Sequence, residues 1–66
     1  MRLNLRVAIL RSGRTQREVA RECEMSESRL SEIVRGWRNP RDDERQRLSH
    51  ALHRPPEELF TAREVA

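Results

Sequence analysis

Thr15-Gln16-Arg17-Glu18-Val19-Ala20-Arg21-Glu22-Cys23-Glu24-Met25-Ser26-Glu27-Ser28-Arg29-Leu30-Ser31-Glu32-Ile33-Val34-Arg35-Gly36 is the stretch that decides the fold. It reads as two short helices joined by a tight turn. Thr15 offers a hydroxyl at the first helix start, and Glu18, three residues on, completes a capping box. Val19, Ala20 and Cys23 form one apolar stripe of a short amphipathic helix. Ser26 repeats the cap, Leu30, Ile33 and Val34 make the next inward stripe, and Gly36 is a left-handed stop. Two capped helices joined this closely cross steeply rather than lie antiparallel.

Outward from that centre, 4–12 reads as a first helix, with Asn4 as cap, Leu5, Ala8, Ile9 and Ser12 facing inward, and Gly13 ending it. After the loop Trp37-Arg38-Asn39, an Asn39 cap followed by Pro40 at the first helical position starts a fourth helix over 40–52. Asp42, Asp43 and Glu44 suit its N-terminal dipole, and Leu48, Ala51 and Leu52 face inward. Asp43 with Arg47 and Asp42 with Arg45 are helix-spaced ion pairs worth a few tenths of a kcal/mol each. Pro55-Pro56 ends it and opens a fifth helix over 56–62, whose Leu59 and Phe60 cover the core. The expectation is one all-α domain over 1–66, with helices at 4–12, 15–23, 26–35, 40–52 and 56–62.

Composition narrows the function classes. Sixty-six residues bury only about 60% of their extended-chain surface, so stability is marginal. The single Cys23 excludes an internal disulfide and a multi-cysteine zinc site, and its apolar neighbours make it a core residue. His50 and His53 lack ligand partners at metal spacing and read as surface residues. There is no membrane-length apolar run and no signal-peptide pattern, so the expected location is the cytoplasm. No glycine-rich phosphate loop, metal cluster or nucleophile–histidine–acid set is present, so neither enzyme activity nor a cofactor is expected.

All 14 basic residues are Arg, against 11 acids, for a net charge of +3. Nine Arg and five Glu fall within residues 1–38, a net of 9 − 5 = +4. Five Arg and six acids fall within 39–66, a net of 5 − 6 = −1. The basic side therefore belongs with the central helix pair, and its guanidinium forks suit phosphate and guanine.

From Leu5 to Phe60 the chain resembles the lambda-repressor/Cro-like (XRE-type) helix-turn-helix family. The residues that carry the likeness are Gly13-Arg14-Thr15-Gln16, Val19-Ala20, Ser26, Leu30-Ser31, Ile33, Arg35-Gly36, Asn39-Pro40, Ala51-Leu52 and Glu58-Leu59-Phe60. The resemblance implies a compact five-helix fold that binds double-stranded operator DNA, as a homodimer on a palindromic site and as a repressor-like regulator. By position, Glu27, Ser28, Arg29 and Glu32 would read base edges in the major groove. Arg14, Thr15, Gln16, Ser26, Ser31, Arg35, Trp37, Arg38 and Asn39 would contact the DNA backbone. Fold alone does not fix function. An antitoxin-like or accessory module, binding a protein partner through its acidic third helix, is the second reading.

Four departures from the family pattern carry expectations of their own. Ile9 and Val34 stand where the family often pairs Arg with Glu, so packing should replace a buried ion pair. Glu24 stands where glycine is usual, at a strain of order 1 kcal/mol if the turn stays left-handed. Arg45 stands at a normally apolar, core-facing position, so its stem should snorkel while a carboxylate holds its head. Glu27 and Glu32 either accept from cytosine N4 or pair with Arg29 or Arg35 of their own helix. Arg29 then becomes the main candidate for guanine or phosphate. Trp37 either stacks on sugar-phosphate, packs on a partner subunit, or covers the junction of its own third and fourth helices.

Overall fold

A computed structural model describes residues 1–60. It contains α1 (Leu3–Arg11), α2 (Gln16–Glu22), α3 (Glu27–Arg35), α4 (Asp42–Leu52) and α5 (Pro56–Leu59), and no strand among the described residues. The part of the expected fifth helix beyond Phe60 lies outside the described residues.

The α2–α3 unit forms for the reasons its sequence offers. The Thr15 hydroxyl accepts from the Glu18 amide (3.1 Å) and the Glu18 carboxylate accepts from the Thr15 amide (2.8 Å). The Ser26 hydroxyl accepts from the Arg29 amide at 3.1 Å. Both helices end in the same way. After α2 the Met25 amide donates to the Ala20 carbonyl and the Glu24 amide to that of Arg21. After α3 the Trp37 amide donates to Glu32 and the Gly36 amide to Ile33. These are Schellman closures around one left-handed residue. Gly36 takes that conformation freely at φ +83°, whereas Glu24 holds it at φ +59° against its own Cβ.

One core joins all five helices: Leu5, Ile9, Val19, Ala20, Cys23, Leu30, Ile33, Val34, Leu48, Ala51, Leu52 and Leu59, with Ala8, Met25 and Phe60 packed at its edge. Ile9 and Val34 both face into it, at 5% and 2% exposure. Each large buried aliphatic side chain contributes about 1.5–3 kcal/mol, so nine such positions, with Ala20, Cys23 and Ala51 between them, can hold so short a chain.

Two helix starts differ from the expectation. Arg2, not Asn4, precedes α1, because the Arg2 amide is fastened to the Val34 carbonyl (2.7 Å) and sets the entry of the chain. Asn4 lies in the first turn and its amide donates to the Glu58 carbonyl at 3.0 Å, tying α1 to α5. α4 begins after Arg41, not after Asn39: the Glu44 carboxylate accepts from the Arg41 amide (2.8 Å), and Asn39-Pro40 stays outside the helix. Arg45 is exposed, with Asp42 holding its head at 3.1 Å, and the inward position of that turn belongs to Glu44. Asp43 and Arg47 pair at 3.7 Å as their spacing requires. No described helix is long and apolar enough to cross a membrane.

Candidate nucleic-acid interface

α3 has three inward residues, Leu30, Ile33 and Val34, and their burial decides where the rest of the helix points. At 100° per residue, the side opposite that stripe carries Ser28, Ser31, Glu32 and Arg35, with Glu27 at its leading edge. Gln16, the first residue of α2, lies across from them. Together Gln16, Glu27, Ser28, Ser31, Glu32 and Arg35 line one shallow, open depression. Glu27, Ser28 and Arg35 are exposed, and Gln16, Ser31 and Glu32 are half-buried. Six of the thirteen residues singled out from sequence thus share one surface, contributed by the start of α2 and the outer face of α3.

The chemistry of that surface is mixed. It holds hydroxyls that donate or accept, a carboxamide that does both, one guanidinium and two carboxylates. The Glu32 carboxylate accepts from Arg38 at 2.9 Å, so its partner comes from the following loop rather than from Arg29 or Arg35. The Arg35 guanidinium stacks over the Trp37 ring at 5.0 Å from its centre, and Trp37 is 72% exposed. Such a cation–π contact holds the guanidinium near the end of α3 while leaving its donor edges available. Among the described residues Arg35 forms no ion pair, and it adds positive potential to the depression it lines.

Other sequence-derived candidates are engaged elsewhere. The Arg29 guanidinium donates through both Nε and Nη2 to the Glu44 carboxylate, with Nη2 at 2.9 Å from Oε1. Arg29 projects from the flank of α3 that meets α4, and it braces the two helices there. Glu44 is 1% exposed. The Arg29 guanidinium, then the Arg41 amide, hold the Glu44 carboxyl down at about 2, against burial that pushes it up. Arg14 donates to the Glu22 carboxylate and the Ala51 carbonyl, so it ties the α1–α2 turn to α2 and α4. The Asn39 side chain accepts from the Arg2 guanidinium at 2.8 Å. The Thr15 and Ser26 hydroxyls act as helix caps.

Sequence reasoning missed Glu44 and Arg2. Glu44 was findable: with Leu48 at i+4 and Ala51 at i+7 it lies on the inward stripe of α4, but it sits in an acidic run that reads as a solvated helix start. Arg2, 3% exposed, has no local signal because its partners lie on α3 and in the loop after it.

The family model for helix-turn-helix proteins matches residues 5–59. The chain is a helix-turn-helix protein of the Cro/C1 type. The match spans the start of the core, the two crossed helices and the α5 closure, so the whole described core belongs to this helix-turn-helix domain. Its family is one of DNA-binding proteins rather than enzymes. No curated protein and no solved structure matches the chain. In such domains the second helix of the pair enters the major groove by its N-terminal part while the first crosses the backbone. The helix pair of this domain is α2 followed by α3.

Proposed function

We propose that the domain is a sequence-specific regulator of transcription, repressor-like, that lays the outer face of α3 in the major groove of double-stranded DNA. The observation that carries this reading is the convergence of Gln16 with Glu27, Ser28, Ser31, Glu32 and Arg35 on one open surface. Glu27 and Ser28, at the exposed start of α3, face base edges. Glu27 favours cytosine through its N4 donor, and the Ser28 hydroxyl suits several bases. Gln16 bonds a phosphate, supported by the amide-rich start of α2. Arg35, stacked on Trp37, neutralises a phosphate beyond the end of α3. Arg29 supports the reading helix through Glu44 rather than reading bases itself. Two copies, meeting through α5, bind palindromic half-sites one helical turn apart.

Selection of bound duplexes from random oligonucleotides, followed by affinity measured against salt, tests the proposal. The expected result is an enriched motif with two symmetric half-sites. The log–log salt slope should be steep, at about −0.9 per phosphate contact. No enriched motif, or binding indifferent to salt, contradicts it. The protein-partner reading draws on Glu27, an exposed carboxylate on α3 with no ion pair among the described residues. Co-purification of a stable complex, with no duplex retained in the selection, would favour it.

A further inference from the structure

Arg2 is a buried cation whose bonds converge on the end of the DNA-reading helix. Its backbone amide donates to Val34 (2.7 Å). Its Nη1 donates to the carbonyls of Ile33 (2.7 Å) and Arg38 (3.2 Å), and its Nη2 to the Asn39 Oδ1 (2.8 Å). The last carbonyls of a helix lack partners within it. The Schellman closure answers Glu32 and Ile33, and Arg2 answers Ile33 again and Val34. A cation at this end also matches the negative pole of the helix. The same guanidinium reaches across Gly36 to the loop that carries Trp37, Arg38 and Asn39. One planar fork thus fixes the end of α3 and the path of the chain leaving it, where Arg35 stacks on Trp37 and Arg38 holds Glu32.

We infer that Arg2 is a positioning residue for DNA recognition: without touching DNA, it sets the angle of α3 and the placement of the 36–39 loop against the duplex. The inference rests on α3 being the reading helix. It assigns Asn39 a share in the same bridge instead of an independent phosphate contact. Lys cannot replace Arg here, because a single ammonium lacks the fork that spans a helix-end carbonyl and a side-chain amide at once.

The test compares wild type with R2K, N39A and the double variant. Each is measured at temperatures where circular dichroism shows it fully folded. For R2K, Kd for the selected duplex should rise about tenfold, while Kd for an unrelated duplex at the same salt rises less than about twofold. N39A should shift specificity in the same direction, and the double variant should fall short of the sum because both act through one bridge. Amide exchange supplies a readout without DNA. In R2K the Trp37 amide should exchange faster while the Met25 amide, which makes the equivalent bond after α2, keeps its rate. A loss of stability alone would speed both amides together and leave the ratio of specific to unspecific affinity unchanged, and that result overturns the inference. Should R2K not melt cooperatively, N39A alone carries the same comparison. A wild type that selects no duplex removes the DNA reading and this role with it. A wild type that binds, matched by R2K, leaves the DNA reading standing and removes only the role of Arg2.

Discussion

Glu44→Gln probes the charged pair that stands between α3 and α4. The substitution keeps shape and volume but removes the charge that accepts from Arg29 twice and from the Arg41 amide once. Hydrogen bonds to charged groups contribute roughly 1.5–3 kcal/mol each when formed out of water, and Gln retains part of the set. The expected loss at pH 7 is about 2 kcal/mol. In a domain of this size that is a fall in Tm of about 8–16 °C. The pH dependence follows from linkage. The Glu44 carboxyl is held at about 2 in the folded state and titrates near its ordinary value, 4.5, when unfolded. Its stabilisation is therefore complete above pH 4.5 and is lost as pH falls through about 2. Denaturant melts of both proteins followed by circular dichroism at pH 7, 4.5, 3 and 2 should show a wide gap that narrows steadily below pH 4.5. A gap of equal size at pH 7 and pH 2, or no gap at all, would refute the assignment of an ionised Glu44 bracing Arg29.

Three further outcomes follow from separate parts of the fold. Glu24→Gly should raise stability by about 0.5–1 kcal/mol in a thermal melt, since relief of the left-handed strain outweighs the chain entropy that Gly adds; a lowered Tm would mean the turn is not strained. Thr15→Ala should cost about 1 kcal/mol by the same measurement through loss of the α2 cap, and an unchanged melt would count against that hydrogen bond. Gln16→Ala and Ser28→Ala should leave the melt within about 0.5 kcal/mol of wild type but weaken specific DNA binding by about 1–3 kcal/mol in fluorescence anisotropy. Intact affinity in both would move the interface away from the α2–α3 depression.

The legible parts of this fold were the local ones. Thr15 with Glu18, Ser26, Gly36 and the apolar triplet Leu30, Ile33 and Val34 act within one or two turns, so their spacing alone states what they do. The left-handed Glu24 was legible only through the family resemblance, which puts glycine at that point of the turn. What escaped were the polar contacts whose partners are distant in sequence. Arg29 looked free for DNA because its partner Glu44 sits 15 residues away. Asn39-Pro40 looked like a helix start because a cap followed by proline is a local signal, but Arg2, 37 residues earlier, takes the Asn39 side chain. The site divides in the same way. The outer face of α3 follows from helical period, whereas Arg14, Arg29 and Asn39 were drawn into it by position and are held by α4, Glu44 and Arg2.

The most direct test of the central claim, that the outer face of α3 with the start of α2 meets DNA, is an amide chemical-shift map of the 15N-labelled protein titrated with its selected duplex. The account predicts the largest changes at Gln16, Glu27, Ser28, Ser31, Glu32 and Arg35, with the core amides of Leu5 and Leu48 nearly still. Changes concentrated on α1 and α5, with Glu27 to Arg35 unmoved at saturation, would contradict it.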